Sequence, residues 1–404
     1  MFCLYLLIWR KINSAFLCVE TPWSLWLNFY FTYESKMRYI LSIVFILASF
    51  FSSLAQNNVL YGERNLEGNK LAIYYDREGT IYPDYFIADA SLERSCSSLK
   101  MWYTANTEQF LEVARQYGCH FAEYSVGNIK ILNDSIVAVN CRKINLQKGN
   151  FNSATFLVHG FRKPFVASNG DYTSGRDFAI MEKNISDLGK RNECFVEVYW
   201  DALYGCCFTA NVMENEKLFH LFDQAQTAAK MVGASFRDVL SRTTFDTINL
   251  YSHSLGAQVI AQTLFNVVEC AYPTPLNARV NICMIAPAIS GIETFKSYYN
   301  RNTDFDYRSN DNYRLAIVYN DNDFVLLKRD NKVGWFGPGP YGHGNTSLGC
   351  NYHHTATKLE AYFLTEYRQS SIRTFDLSLV GKCHHVRCYC AGANLLEAIR
   401  YIMM

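Results

Sequence analysis

The 404-residue chain lacks an excess of either charge: Lys plus Arg number 38 and Asp plus Glu 37. With no basic field to draw in a phosphate backbone, a nucleic-acid partner is disfavoured. It also lacks internal repeats and long Pro/Gly/Ser linkers, and its length allows one large domain or two modest ones. No Gly-rich loop is built to cradle a phosphate. Cys383, Cys388 and Cys390 do not form the paired CxxC units of a zinc site. No metal and no organic cofactor is therefore expected. The N-terminal apolar run at 40–47 is short of the about 20 residues that a membrane span needs.

What is present is the material of a globular core. Half of the residues are hydrophobic by type, 19% are charged and 15% aromatic. The 28 Phe and 28 Tyr suit a thick core, with aromatics to spare for walls around a ligand.

Near the N-terminus, Met37-Arg38 precedes the apolar run and the small-residue stretch 48–55, the pattern of a secretory signal peptide. Cleavage is expected after Ala55, and no cysteine follows to take a lipoprotein anchor. Residues 1–36 lie upstream of a signal with its own Met37, so the start is expected at Met37; the alternative is an N-terminal membrane hairpin. Without residues 1–55 the chain carries 34 Lys plus Arg against 35 Asp plus Glu. An exported, near-neutral protein is expected, secreted or periplasmic. Twelve cysteines remain, an even number that fits disulfides, though spacing does not give the pairing. Cys283, inside an apolar strand-like run, reads as a buried thiol.

Residues 56–150 form a section expected to add edge strands, with strand-like pieces at 71–75 and 135–139 and a helix at 107–117. From 151 to 404 strands and helices alternate. Strands are predicted at 154–158, 195–200, 247–251, 280–285, 314–319 and 372–377, and helices at 176–188, 216–240, 257–268 and 394–402. Such alternation implies an α/β domain, a mostly parallel sheet with helices on both faces.

The sharpest motif is Tyr251-Ser252-His253-Ser254-Leu255-Gly256-Ala257 between a strand and a helix. An abrupt strand-to-helix turn lifts the middle serine onto a strained elbow with its hydroxyl exposed above the sheet. Small residues are needed two before and two after it. Gly256 meets one requirement, and Ser252 stands where the usual pattern has glycine. The backbone N–H of Leu255, at the start of the helix, points where an oxyanion would form. Upstream, Val158-His159-Gly160-Phe161 ends a strand and suits the loop that supplies a second oxyanion donor, the N–H of Phe161. His159 reads as a structural residue that holds this loop.

An activated serine needs a base, and the base an orienting carboxylate. The base is expected after the last strand, where Cys383-His384-His385-Val386 stands. Only one of the two histidines can face Ser254, because neighbours on an extended loop point opposite ways. His343, His353 and His354 are runners-up. The acid belongs after an earlier strand, and Asp321 and Asp323 follow the one ending at 319. Asp323 is favoured, because it leads into the apolar Phe324-Val325-Leu326 that could hold it down. Asp201, at another strand end, reads as structural.

These motifs resemble the α/β-hydrolase superfamily and, within it, the animal pancreatic-type lipases. His-Ser-Leu-Gly-Ala at 253–257 is similar to the lipase elbow, and Val-His-Gly-Phe at 158–161 to its oxyanion strand. Cys383-x-His385-x-Arg387-x-Tyr389 resembles the lipase segment that carries the catalytic histidine, which selects His385 over His384. One departure is plain: where those lipases carry Leu-Asp-Pro, this chain reads Ile285-Ala286-Pro287, so the acid must come from the next strand. The resemblance implies an α/β-hydrolase fold and a Ser254–Asp323–His385 triad acting on a small-molecule or lipid ester. A lipid substrate would bring transient contact with a membrane interface.

Residues 286–313 are too few for a large cap domain. The Gly-rich stretch 334–342 could instead form a lid or acyl wall, with Trp335, Phe336 and Tyr341 as its substrate contacts. Two other readings stand beside the esterase: a non-catalytic protein that binds a lipid or partner at the same cleft, and an amidase or peptidase with the same triad.

Overall fold

In the computed structural model, the residues described are 71–84, 98–161, 174–189, 192–202, 212–265, 276–295, 313–327, 347–351, 354–366, 371–391 and 393–404. All belong to the unit Gln56–Met404.

The apolar runs of the sequence are strands covered on both faces. In chain order the strands are β1 (Leu71–Tyr75), β2 (Ser153–Val158), β3 (Glu193–Trp200), β4 (Thr247–His253), β5 (Arg279–Ile285), β6 (Tyr313–Tyr319) and β7 (Ser371–Asp376). They form one seven-stranded sheet in the order β1-β3-β2-β4-β5-β6-β7, and every pairing is parallel. β2 is buried at every position and β4 and β5 at all but their first, which is why they read as continuous hydrophobic runs. The edge strand β7 is buried only at Ile372 and Phe375.

The helices are α1 (Leu99–Ala105), α2 (Thr107–Gln116), α3 (Val126–Asn145), α4 (Ser174–Gly189), α5 (Val212–Arg242), α6 (Gly256–Leu264), α7 (Ile292–Phe295), α8 (Thr355–Glu366), α9 (Val386–Cys390) and α10 (Ala393–Met403). α3, α5 and α6 cover one face, with Phe236 of α5 edge-on to Phe156 of β2. α4, α9 and α10 cover the other, where Arg314 of β6 donates to Tyr401 O of α10. Among the described residues no helix is long and apolar enough to cross a membrane.

One expected strand is absent. Residues 135–139 lie inside α3, whose buried residues Ile129, Leu132, Ile136, Val137, Asn140, Cys141 and Ile144 recur at helical spacing. The five-residue run alternates like a strand, but the period over the whole element is helical.

On the α10 face, a chain of buried side-chain hydrogen bonds ties the central strands together. Asn281 Nδ2 donates to Asn249 Oδ1, Asn249 Nδ2 to Thr155 Oγ1, and the threonine hydroxyl to Glu193. A one-residue slip of any of these strands would turn its member away to the opposite face, so the row fixes register behind the site.

The strand order also decides where a site can form. From β2 the chain turns back to β3, while from β4 it runs outward through β5, β6 and β7. Loops therefore part between the carboxyl ends of the adjacent strands β2 and β4, opening the crevice in which α/β sheets bind ligands.

Candidate active site

Ser254 stands at that crevice, directly after β4. Its φ of +54° is a left-handed conformation that few non-glycine residues adopt. The surroundings hold it there: its N–H donates to Ile285 O at 2.9 Å, and its carbonyl accepts the N–H of Ala288 at 3.0 Å. Local strain of this kind persists only where neighbouring structure over-determines the backbone.

Two glycines make the turn fit. A Cβ on Gly256 would lie 2.6 Å from both Val158 O and His159 O. One on Gly160 would lie 2.7 Å from His253 O and from Ser254 Cβ. The β2 loop and the elbow thus meet backbone to backbone. Ser252, in place of a third glycine, is fully buried, and its hydroxyl has no hydrogen-bond partner among the described residues.

The base is His384. Its Nε2 is 2.9 Å from Ser254 Oγ and its Nδ1 2.7 Å from Asp323 Oδ2. This corrects the expectation for His385. In this loop the peptide of Cys383 is drawn toward β6 by Asn320, whose Nδ2 donates to Cys383 O at 3.3 Å and to Gly381 O at 2.8 Å. The Cys383–Cys388 disulfide closes the segment, His384 turns inward, and His385 becomes the residue that begins α9. The spacing shared with lipases is matched; the side-chain direction is not.

The carboxylate on His384 is that of Asp323, fully buried as its apolar context suggests. Its Oδ1 accepts the N–H groups of Val325 at 3.0 Å and Leu326 at 3.2 Å, and its Oδ2 accepts the Tyr389 hydroxyl at 2.7 Å. Burial, followed by the charge of Asp323, holds the Tyr389 phenol well above its ordinary pKa, so it stays a donor. His384 pairs with Asp323 and not with Asp321, whose N–H donates to Ser378 Oγ. Because Nδ1–H donates its hydrogen bond to the carboxylate, Nε2 is left to accept from Ser254.

A strand-to-helix elbow at the switch point, with serine, acid and histidine supplied in that order after β4, β6 and β7, decides the fold. It is the α/β-hydrolase fold.

Leu255 and Phe161, the two residues expected to offer oxyanion donors, adjoin this elbow: one follows Ser254, and the other follows Gly160, which packs against it. Leu255 is buried at the start of α6, and the first-turn N–H groups of a helix have no partner within it. Phe161 follows Gly160 and packs edge-on to Phe222 of α5. His159 is structural: its Nε2 accepts the N–H of Trp200 at 3.0 Å, so Nδ1 carries the proton and donates to Gly160 O at 2.8 Å. Fixing that carbonyl fixes the peptide plane, and with it the direction of the Phe161 N–H.

No family model matches the chain, and no curated protein does. Among solved structures it is similar to Est1E from Butyrivibrio proteoclasticus, with 11% identity, 64% of this chain and 90% of that one covered, and a TM-score of 0.29. It is also similar to a lipase-esterase related protein from Clostridium acetobutylicum ATCC 824 (9% identity, 62% and 94% covered, TM-score 0.28). A third is carboxylesterase CesB from Bacillus subtilis (9% identity, 62% and 83% covered, TM-score 0.28). The fold assignment rests on the sheet order and the elbow.

Of the other candidates, His354 is an exposed residue ahead of α8, whose carbonyl accepts the N–H of Lys358. Asp201 accepts the Tyr82 hydroxyl at 2.9 Å and is buried, a structural role. Trp335, Phe336, Tyr341, His343 and His353 lie outside the described residues. Among the described residues Cys383–Cys388 is the one disulfide, and Cys119, Cys141, Cys194, Cys283, Cys350 and Cys390 form none. Cys283 is fully buried, which pushes its thiol far up. No group of three or more His, Cys, Asp or Glu among the described residues is placed to hold a metal.

Sequence reasoning gave no role to Asn320, Tyr389 or His253. Tyr389 lies in the quoted C-terminal motif, and Asn320 opens the turn that carries the acid. Nothing in one dimension tells that both face His384 or its partner.

Proposed function

We propose that the protein is a serine hydrolase that cleaves carboxylic esters through an acyl-enzyme intermediate. The observation that carries the reading is the imidazole of His384, with Ser254 Oγ on one nitrogen and the buried Asp323 on the other. Ser254 Oγ attacks the ester carbonyl while His384 Nε2 takes its proton. The resulting oxyanion sits against the N–H groups of Leu255 and Phe161, which stabilise the tetrahedral species more than the planar ester. The imidazolium, steadied by Asp323, returns the proton to the departing alkoxide. Water then enters, loses a proton to His384 and attacks the acyl carbonyl; the bond from the acyl carbon to Ser254 Oγ breaks, the oxygen takes the proton back from His384, and the acid leaves.

The leaving group is an alcohol rather than an amine, in keeping with the lipase-like elbow. The substrate is a small-molecule or lipid ester. The reading includes export, supported by the signal-like segment 37–55 and by a disulfide of the kind that oxidising compartments preserve.

The test is a panel of p-nitrophenyl esters of increasing chain length, with a matched amide, on the full chain and on Ser254→Ala. Ester turnover should exceed amide turnover. The alanine variant should lose at least about 10³-fold while remaining folded. Near wild-type turnover by Ser254→Ala overturns the reading.

A further inference from the structure

The residue immediately before the nucleophile bonds to the residue that activates it. His253 ends β4 and is 1% exposed, and its Nε2 lies 2.8 Å from the backbone carbonyl oxygen of His384. A carbonyl can only accept, so His253 Nε2 carries the hydrogen. The two imidazole rings are 5.0 Å apart, and the Tyr389 ring stands 6.5 Å from that of His253.

His384 belongs to no helix or strand. It lies between the turn Ser378–Val380 and α9, where the local bonds, Cys383 N–H to Gly381 O and Cys388 N–H to His385 O, hold its neighbours and not the two peptides that flank it. Two side chains from elsewhere do. Asn320, after β6, donates to Cys383 O in the peptide before His384, and His253, at the end of β4, donates to His384 O in the peptide after it. With both flanking peptide planes pinned, the Cα–Cβ direction of His384 is set, and so is the line from its Nε2 to Ser254. The pin from His253 reaches that line from the nucleophile's own side, since His253 and Ser254 share a peptide bond held at a strained elbow.

We propose that His253 is a positioning residue that locks the base loop to the nucleophile elbow, setting the reach between His384 Nε2 and Ser254 Oγ through its hydrogen bond to the His384 carbonyl. The inference rests on the hydrolase reading above. A packing role alone would be met by any ring of similar shape; the positioning role needs the N–H. A shift of about 1 Å in a reacting group costs on the order of 10²-fold in rate, so the hydrogen bond has a large effect to exert.

The experiment compares wild type, His253→Phe, which keeps the ring and removes the donor, and His253→Gln, whose amide can return a donor to the same region. It reads kcat and KM on a p-nitrophenyl ester, the rate of fluorophosphonate labelling of Ser254, and the melting temperature. His253→Phe is expected to lose about 10- to 100-fold in kcat and in labelling rate, with KM within about twofold. His253→Gln should recover most of that loss even where its melting temperature falls as far. Wild-type kcat and labelling in His253→Phe, or equal losses in the two variants, overturn the proposal. His253→Leu takes the place of a phenylalanine variant that does not fold. A further readout needs no variant: 15N-histidine spectra of the full chain should show His253 as the Nε2–H tautomer, and the Nδ1–H tautomer contradicts the bond. Wild-type protein that takes no label at Ser254 overturns the hydrolase reading itself, whereas labelled wild type with an equally reactive phenylalanine variant removes the positioning role alone.

Discussion

Tyr389 donates its hydroxyl hydrogen to Asp323 Oδ2 at 2.7 Å, the same oxygen that faces His384 Nδ1. A buried carboxylate is costly without donors, and here two backbone N–H groups, a phenol and an imidazole share it. Removing the phenol leaves that oxygen of the fully buried Asp323 with one donor. Tyr389→Phe should therefore destabilise the fold by about 1.5–3 kcal/mol, the range for a hydrogen bond to a charged group. Activity should fall about tenfold, because the acid that orients the base is less firmly held. Urea unfolding and kcat measured together check this; an unchanged unfolding midpoint contradicts the account of the acid.

The adjacent histidines should separate cleanly by mutation. His384→Ala removes the group bonded to both Ser254 and Asp323 and should lower kcat by about 10³-fold or more. His385→Ala alters the residue that begins α9 and should stay within about tenfold of wild type. Kinetics of the two variants on one ester decide it. Loss confined to His385→Ala would restore the lipase-like spacing as the better guide.

That pair also marks the limit of what one dimension tells. The strands carrying the site were legible, because a parallel sheet covered on both faces leaves continuous apolar runs such as 154–158 and 280–285. The elbow was legible because its steric needs are written in Gly160 and Gly256, and the burial of Asp323 because an apolar run follows it. Which of two neighbouring histidines turns inward depends on Asn320, contributed by β6, and on His253, contributed by β4. Contacts at sequence separations of 63 and 131 leave no local pattern. α3 was hidden for a different reason: Ser-Ile-Val-Ala-Val at 135–139 is rich in β-branched residues, and only its twenty-residue span reveals the helical period.

Away from the site, Asp76 predicts a pH dependence of stability. It follows β1, is fully buried, and accepts the N–H groups of Glu78, Thr80 and Leu99. Burial raises its pKa from 3.8 to about 7, outweighing the backbone donors to Leu99 and Thr80 that act the other way. The folded state then holds a proton that the unfolded state has released between about pH 4 and pH 7, so this group's contribution is full below pH 4 and is lost as pH rises through 7. Between pH 5 and pH 8 the loss should be about 2–3 kcal/mol. Asp76→Asn, which does not titrate, should flatten that slope even if it lowers stability throughout. Equal slopes for both proteins in urea unfolding at the two pH values count against this assignment.

The central claim is that Ser254 is an activated nucleophile. Fluorophosphonate treatment of the full chain, followed by mass-spectrometric mapping of the adduct, tests it most directly. The account predicts one adduct, on Ser254, absent from Ser254→Ala and strongly slowed in His384→Ala. No adduct on well-folded protein would contradict it and favour a hydrolase-fold binding protein, and an adduct on another serine would place the nucleophile elsewhere.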